Sequence, residues 1–390
     1  SRRAQARDVR DRQGARRSAA AKARILALTS VPPAMLRIPL TLLCLSFSAV
    51  ALAQDARAKL VDEVRALVQA HAEKDTFSGA VLLAQGDEVL FTFAAGEADK
   101  GWHVKNDLET RFNLGSMNKM FTSVSIAQLV EQKKVAYDEP IAKYVDESWL
   151  PRALTDKVTV RHLLTHTSGL GSYFNDTYQK SSRELFREVD DYKPLVRGET
   201  LAFEPGTRWS YSNTGMLLLG VVIEKASGEN YFEYVRKHVY APAGMTRSDC
   251  YELDQPVENL AVGYERDPTT KSGWRNNVFQ HVIRGGPAGG GYSTVGDLHR
   301  FAQALLAGKL VSVESLDTLW TRTPGADYGC GFQLTDKPQK IVGHSGGFPG
   351  INSNLDVFVD SGYVVVMMSN YGELTGDLAQ ELRKLVSSAG

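Results

Sequence analysis

The 390-residue chain has few cysteines, no excess of either charge, and no apolar run long enough to cross a bilayer. Its three cysteines form no C-x-x-C pair and no zinc-finger spacing, which argues against a cysteine-based metal centre. The sequence leaves open whether Cys250 and Cys330 pair. Residues 1–53 hold 10 basic and 2 acidic residues, so residues 54–390 carry a net charge of −8. Nucleic-acid binding needs a basic surface, and none is indicated.

The first 53 residues differ from the rest of the chain. Residues 1–34 are basic and poor in apolar side chains, so we expect a disordered tract or a mis-assigned start. Residues 35–53, "MLRIPLTLLCLSFSAVALA", contain one positive charge, an apolar run and a small-residue ending, the three parts of a secretory signal. The apolar run is shorter than the ~20 residues of a membrane span. We therefore expect cleavage after Ala53 and an exported protein, periplasmic or secreted, without a remaining membrane span.

The remaining chain, residues 54–390, has strand-like segments near both ends and helical segments between them. Two apolar runs flank Gln85-Gly86-Asp87, which is typical of a β-hairpin. Four further strand-like runs lie between residues 328 and 370. The sequence therefore predicts an α/β (α+β) domain with one antiparallel sheet lobe, about 54–115 and 286–390. A mostly helical lobe, about 116–285, is inserted into it.

The chain also lacks any histidine after His344, and this absence excludes one catalytic motif. Residues 343–347, "GHSGG", spell G-x-S-x-G, the nucleophile elbow of α/β-hydrolases. That elbow needs a helix after the serine and a histidine later in the chain. Ser345 is followed by "GGFPG" and another strand-like run, so it is not expected to be the nucleophile.

A second serine has the surroundings that a nucleophile needs. In "FNLGSMNKMF", Ser116 lies at the expected start of a helix and Lys119 follows three residues later. The i, i+3 spacing places both side chains on one helix face. A buried lysine can become neutral and accept the serine proton, and the helix start favours a developing oxyanion. The motif is weak alone and needs support from the rest of the chain.

Two further motifs supply that support. Tyr211-Ser212-Asn213 opens the apolar helix "NTGMLLLGVVIEKASG", and His344-Ser345-Gly346 ends a strand-like run. Ser-x-x-Lys, Tyr-x-Asn and a basic or polar residue-x-Gly form the pattern of penicillin-binding proteins and serine β-lactamases. The sequence resembles this family, and most closely its branch with class C β-lactamases, D-alanyl-D-alanine carboxypeptidases, D-aminopeptidases and related esterases. The stretches "RHLLTHTSGL", "FEPGTRWSYSNTGMLLLG" and "GPAGGGYSTVGDLHRF" support the resemblance.

The resemblance implies the catalytic roles. Ser116 is the acylated nucleophile and Lys119 its proton acceptor or electrostatic activator. Tyr211 transfers a proton to the leaving group and later activates the deacylating water. The backbone N–H groups of Ser116 and Gly347 form the oxyanion hole.

The resemblance also implies the residues that bind substrate, namely Asn213, His344, Ser345 and Gly346. His344 stands where the family's usual element has lysine, and a histidine is only partly charged at neutral pH. This departure weakens the case for efficient β-lactam hydrolysis. It leaves peptidase and esterase chemistry open.

Three other features allow alternatives. Tyr173-Phe174-Asn175 is a second Y-x-N, but it lies in a polar, turn-rich stretch, so Tyr211 is preferred. His162 and His166 are four residues apart and could share a metal, yet no third ligand is indicated. "GGPAGGGYST" lacks G-K-[ST] and is interpreted as a flexible turn near the site.

The expected function is an exported serine hydrolase that cleaves an amide or ester bond through a Ser116 acyl-enzyme. Its substrate is a D-amino-acid peptide, an ester or a β-lactam, and the sequence does not decide among them. The alternative is a non-catalytic or slowly turning over protein that binds penicillin or cell-wall peptide. We expect a small-molecule or peptide partner and neither a cofactor nor a metal. The oligomeric state stays open.

Overall fold

The computed structural model of the protein describes residues 40–389. Contacts divide the chain into two units, residues 1–56 and residues 57–390. Residues 1–34 lie outside the described part. Of the segment 35–53, only residues 40–53 are described, and they belong to helix α1 (Leu40–Glu73). Within the described residues, no helix combines the length and apolarity required to cross a membrane. The signal peptide and the two-lobe division stay predictions.

In the described residues, six strands form the main sheet, in the order β2-β1-β12-β11-β10-β9, and all neighbouring pairs are antiparallel. The first two strands precede the helical region and the other four follow it, which confirms the predicted fold class. The strands are β1 (Gly79–Gln85), β2 (Glu88–Ala95), β3 (Glu97–Asp99), β4 (Val104–Lys105), β5 (Phe112–Asn113), β6 (Tyr264–Arg266), β7 (Trp274–Asn276), β8 (Tyr292–Ser293), β9 (Gln333–Thr335), β10 (Ile341–Phe348), β11 (Ile351–Phe358) and β12 (Tyr363–Ser369).

The helices cover both faces of this sheet. After α1 they are α2 (Asn118–Glu131), α3 (Arg152–Thr155), α4 (Val160–Leu164), α5 (Asp176–Lys180), α6 (Lys193–Val196), α7 (Asn213–Ser227), α8 (Tyr231–Val235), α9 (Ala241–Ala243), α10 (Val295–Leu306), α11 (Val313–Leu319) and α12 (Leu378–Ala389). The sequence places α7 and α10 correctly. It misses the small hairpin β6–β7, whose strands of three residues are too short to show an alternating pattern.

Alternation along the strands explains the two layers of the core. Side chains of a strand point to opposite faces in turn, so Val365 and Met367 of β12 face α1 and α12. Val364 and Val366 face the larger cluster that contains α2, α7 and α10. Both faces are therefore buried, and β12 is apolar at nearly every position. Among the described side chains, Cys250 and Cys330 are buried and not bonded to each other.

Local signals fix the start and end of α7, which carries part of the site. The Ser212 hydroxyl accepts a hydrogen bond from the backbone N–H of Gly215 at 2.8 Å and caps the helix. Gly228 ends it in a left-handed conformation, with φ of 76°. Asn213 therefore lies in the first turn of α7, beside the start of α2.

Candidate active site

Ser116 lies just before α2, and not in its first turn as the sequence predicts. It belongs to a 3₁₀ turn, Gly115–Met117, that leads directly into α2. The turn is anchored by Asn113, whose side-chain oxygen accepts from the Gly115 backbone N–H at 2.8 Å. The i, i+3 spacing still brings the two side chains together, and the Lys119 Nζ lies 3.1 Å from the Ser116 Oγ.

Lys119 is fully buried, and its side-chain nitrogen Nζ contacts three oxygen atoms. Besides Ser116, Nζ contacts the Asn213 Oδ1 at 3.0 Å and the Ala288 carbonyl oxygen. Burial lowers the pKa of Lys119 well below its ordinary value and favours the neutral amine. A neutral amine has two hydrogens and one lone pair. Two of its contacts are acceptors, so the lone pair is left for the Ser116 hydroxyl proton.

The neighbours of Asn213 fix the orientation of its amide. Its Nδ2 donates to the Ser172 Oγ at 3.2 Å, which turns Oδ1 toward Lys119. The structure thus brings the predicted Asn213 to the predicted Lys119. The Ala288 carbonyl was missed, because a backbone acceptor leaves no trace in the residue type.

Tyr211 lies against the same amine, with the Lys119 Nζ 4.9 Å from its ring centre. Burial raises the pKa of Tyr211 to about 12, partly offset by a hydrogen bond with Ser116. The phenol is therefore protonated at neutral pH and able to donate. The alternative Y-x-N differs in its surroundings, because Asn175 caps α5 by accepting from the Tyr178 backbone N–H at 3.1 Å.

The two candidate metal-binding histidines have separate structural contacts. His166 packs behind Tyr211, with ring centres 4.5 Å apart, and its Nδ1 accepts from the Ser212 backbone N–H at 3.2 Å. His162 accepts from the Thr159 backbone N–H at 3.2 Å as part of the cap of α4. Nowhere in residues 54–389 do three or more His, Cys, Asp or Glu side chains group as metal ligands would.

His344 lies on β10 and is buried, with 1% of its surface exposed. Its Nδ1 lies 2.6 Å from the Ser345 carbonyl oxygen, which assigns the proton to Nδ1. Its Nε2 then accepts from the Tyr328 hydroxyl at 2.9 Å. Burial lowers the pKa of His344 to about 3. The imidazole is neutral at neutral pH, which differs from the partly charged side chain that the sequence analysis expects.

Ser345 faces a side chain rather than open space. The Gln333 amide accepts from the Ser345 backbone N–H at 3.0 Å and donates to its hydroxyl at 3.1 Å. This contact covers the edge of β10 just beyond the end of its pairing with β9. Ser345 was expected to face the substrate, and the sequence gives no sign of its contact with Gln333.

Gly346 and Gly347 let β10 approach the turn that carries Ser116. A Cβ on Gly346 would lie 2.0 Å from the Leu114 carbonyl oxygen, so only glycine fits there. The nitrogen of Gly347 lies 3.0 Å from the position that a Cβ of Gly115 would take. Backbone N–H groups alternate in direction along a strand, so that of Gly347 points to the same edge as that of Ser345. The two predicted oxyanion donors, the backbone N–H groups of Ser116 and Gly347, thus lie on segments that pack against each other.

The glycine-rich segment before β8 holds the other side of this turn. The Gly290 backbone N–H donates to the Gly115 carbonyl at 3.0 Å, and that of Gly291 donates to the Asn118 Oδ1 at 3.2 Å. A Cβ on Gly289 would lie 2.7 Å from the Gly115 carbonyl oxygen. The segment is near the site as predicted, and its glycines serve close packing.

A cavity of about 210 Å³ opens beside Ser116. Ser116, Tyr211, Asn213 and Gly347 line one part of it. Its other walls are largely aromatic, formed by Tyr173, Phe174, Tyr178, His281 and Phe348. In the sequence, Tyr173 and Phe174 stand out only as part of a second Y-x-N. The cluster of three aromatic residues between positions 173 and 178 was the available signal.

A profile of the family described as Beta-lactamase matches residues 64–388 of the chain. The chain belongs to this family. The match confirms the resemblance drawn from the three motifs and spans most of the described residues.

Individual relatives in the beta-lactamase family agree with the profile. The chain is 32% identical over 332 residues to Penicillin-binding protein 4* of Bacillus subtilis, covering 80% of this chain and 72% of that protein. It is 32% identical over 210 residues to Esterase EstB of Burkholderia gladioli, covering 50% of this chain and 52% of that protein. The crystal structure of a penicillin binding protein from Bacillus halodurans superposes with a TM-score of 0.73 at 28% identity, covering 84% of this chain and 98% of that one.

Proposed function

We propose that the protein is an exported serine hydrolase that cleaves an amide or ester bond through an acyl-enzyme on Ser116. The proposal rests on the contacts that the Lys119 side chain makes. A buried amine with two acceptor partners and one serine hydroxyl has the arrangement of a neutral base beside its nucleophile. Penicillin-binding and esterase relatives in the same family support this class of chemistry.

The geometry supports the following sequence of steps. Lys119 accepts the Ser116 hydroxyl proton while Oγ bonds to the carbonyl carbon of the substrate. The backbone N–H groups of Ser116 and Gly347 donate to the resulting oxyanion. When the C–N or C–O bond breaks, Tyr211 donates its proton to the leaving group and regains one from Lys119. Water then attacks the acyl carbon and its proton passes to the same pair of residues. The bond between that carbon and the Ser116 Oγ breaks, Oγ takes up the proton, and the acid product leaves.

Labelling of the serine tests the proposal. A fluorophosphonate phosphonylates an activated serine, so mass spectrometry of the treated protein is expected to show one adduct on the peptide that contains Ser116. The Ser116→Ala variant is expected to show none. The matched control is Ser345→Ala, which removes the other motif serine and is expected to label like the wild type. An adduct on Ser345 or no adduct at all would contradict the proposal.

Turnover separates the hydrolase from the alternative binding protein. The intact set of Ser116, Lys119 and Tyr211 favours a hydrolase over a non-catalytic binder, because binding alone needs neither a nucleophile nor a base. A hydrolase is expected to release many equivalents of p-nitrophenol from a p-nitrophenyl ester. A binder is expected to stop after one equivalent and to keep the acyl group on Ser116, as measured by intact mass.

Export is proposed from residues 35–53 and from the penicillin-binding relatives. Expression of the whole chain in a bacterium with fractionation tests it. We expect the protein in the extracytoplasmic fraction, with Gln54 as its first residue by N-terminal sequencing. Full-length protein in the cytoplasm would contradict the proposal.

A further inference from the structure

We infer that the cavity beside Ser116 takes an uncharged aromatic or large apolar acyl group, and that this group defines the preferred substrate. The inference rests on the proposed acyl-enzyme function. It goes beyond that proposal by naming the chemical class of the acyl donor.

One wall of the cavity is a continuous aromatic surface. Phe174 is the centre of this surface, and its ring contacts Tyr173 at 4.6 Å, Tyr178 at 4.8 Å and Phe348 at 5.9 Å between centres. His281 extends the surface from the other side, with its ring centre 5.0 Å from that of Phe348. Aromatic ligands gain both area burial and edge-to-face contacts on such a surface.

The cavity is also free of charge. Among the described residues that line it, there is no Asp, Glu, Lys or Arg. His281 lines it too, but its Nε2 accepts from the Asn277 amide at 2.7 Å and burial lowers its pKa to about 4. A carboxylate or ammonium group on the substrate would therefore be desolvated without a partner, which is costly.

The volume suits one aromatic ring with a short connection to the reacting carbonyl. A cavity of about 150 Å³ holds benzene. The cavity here measures about 210 Å³ and is lined by Ser116, which leaves room for a linking group of two or three atoms.

The acyl side can be distinguished from the leaving-group side. A second cleft shares Tyr211 with the cavity but not Ser116, and it is lined by Trp209, Tyr328, Gln333 and Arg383 as well. The acyl group stays bonded to Ser116 and so stays in the aromatic cavity. The leaving group receives its proton from Tyr211 and departs toward the second cleft.

A series of p-nitrophenyl esters tests the inference, because the leaving group is constant and only the acyl group changes. The probes are the acetate, the 3-phenylpropanoate and the hemisuccinate, whose acyl group carries a carboxylate. We expect kcat/KM for the phenylpropanoate to exceed that for the acetate by about 10- to 100-fold, the effect of burying one ring. The hemisuccinate is expected to react more slowly than the acetate. A preference for the acetate or the hemisuccinate would overturn the inference.

Two phenylalanine variants locate the effect. Phe174→Ala is expected to lower the phenylpropanoate-to-acetate ratio at least fivefold, because it removes the central ring of the wall. The matched control is Phe279→Ala, whose ring is 90% exposed and does not line the cavity, and it is expected to keep the wild-type ratio. An unchanged ratio in Phe174→Ala would overturn the assignment of the cavity.

Failure of the inference differs from failure of the proposed function. A fluorophosphonate adduct on Ser116 together with no aromatic preference contradicts the inference alone. Absence of the adduct contradicts the hydrolase proposal. In that case, isothermal titration calorimetry of the Ser116→Ala variant with 3-phenylpropanamide measures ligand binding to the cavity without catalysis. Binding that Phe174→Ala abolishes supports the aromatic site, and no binding overturns it.

Discussion

The site consists of two contrasting regions that meet at Ser116. Behind the serine lies a polar cluster, formed by Lys119, Asn213, Tyr328 and His344, in which hydrogen bonds link the groups in two sets. In front lies the aromatic cavity, whose wall opposite the catalytic residues is largely built of aromatic rings and has no Asp, Glu, Lys or Arg among its described lining residues. Both regions exclude net charge, for different reasons. Burial neutralises the cluster and so provides a base, whereas the cavity selects what the base acts on.

Exclusion of water has two separate consequences at this site. A solvated lysine would stay protonated and could not accept the Ser116 proton. The same exclusion of water raises the cost of placing a charged substrate group in the cavity. Substitutions in the cluster should therefore lower the rate for every substrate, and substitutions in the cavity should change the relative rates.

The largest effect is expected from Lys119→Met, which keeps the length of the side chain and removes the base. Loss of proton transfer is expected to lower kcat/KM about 10³-fold for the acetate and phenylpropanoate esters alike. Steady-state kinetics with both esters measures this. Lys225→Met, at an exposed position of α7, is the control and should leave the rates unchanged. A selective loss for one ester would show that the two regions are not separable.

Tyr211→Phe is expected to have the next largest effect, about 10²-fold in kcat/KM, because the leaving group loses its proton donor. Tyr173→Phe is the matched control, since it keeps the ring that lines the cavity. The ester series and an anilide substrate measure both. The loss should be larger for the anilide, whose leaving group needs a proton most. Loss of turnover in Tyr173→Phe alone would reverse the assignment of the two Y-x-N motifs.

The same contrast explains how much of the site the sequence could predict. Ser116, Lys119 and Asn213 stand in short motifs, and the structure brings them into contact. The aromatic walls come from separate loops and one strand end, so no spacing connects Phe174 with Phe348. The sheet and the long helices were predictable, because their apolar periodicity extends over many residues. The three-residue strands β6 and β7 were not.

The state of His344 was also beyond the sequence. Residue type alone suggests partial charge at neutral pH, and burial decides otherwise. Its partner Tyr328 lies 16 residues away on a different segment. The contact of Gln333 with Ser345 is of the same kind, because hydrogen bonds between side chains of distant segments have no sequence pattern.

A smaller effect is expected from a substitution on β10, where this strand packs against the turn that carries Ser116. Gly346→Ala places a Cβ 2.0 Å from the Leu114 carbonyl oxygen, so the strand must shift. We expect a loss of roughly 1–3 kcal/mol in the free energy of unfolding and reduced acylation. Gly347→Ala is the control, because its Cβ would meet no heavy atom within 4 Å. Urea unfolding of both variants measures the difference, and equal stabilities would contradict the close approach of β10 to the Ser116 turn.

The last effect concerns the pH dependence of stability through His344. Its pKa is about 3 in the folded protein and about 6.5 in an unfolded chain, so between these values the unfolded state binds the extra proton. The free energy of unfolding should therefore fall as pH decreases below about 6.5, by up to about 1.4 kcal/mol per pH unit from this residue. In His344→Gln that contribution disappears, and urea unfolding between pH 7 and pH 4 should give a shallower slope.

Gln333→Ala is the control for this slope, because it breaks hydrogen bonds to the same strand without removing a titratable group. It is expected to lower stability at every pH and to keep the wild-type slope. Equal slopes in the wild type and His344→Gln would show that the imidazole takes up its proton as readily in the folded protein as in the unfolded chain, and so is charged below about pH 6.5. The polar cluster would then hold a positive charge behind Lys119. That charge would make the region behind Ser116 a binding site for a substrate carboxylate, and the contrast with the uncharged cavity would be lost.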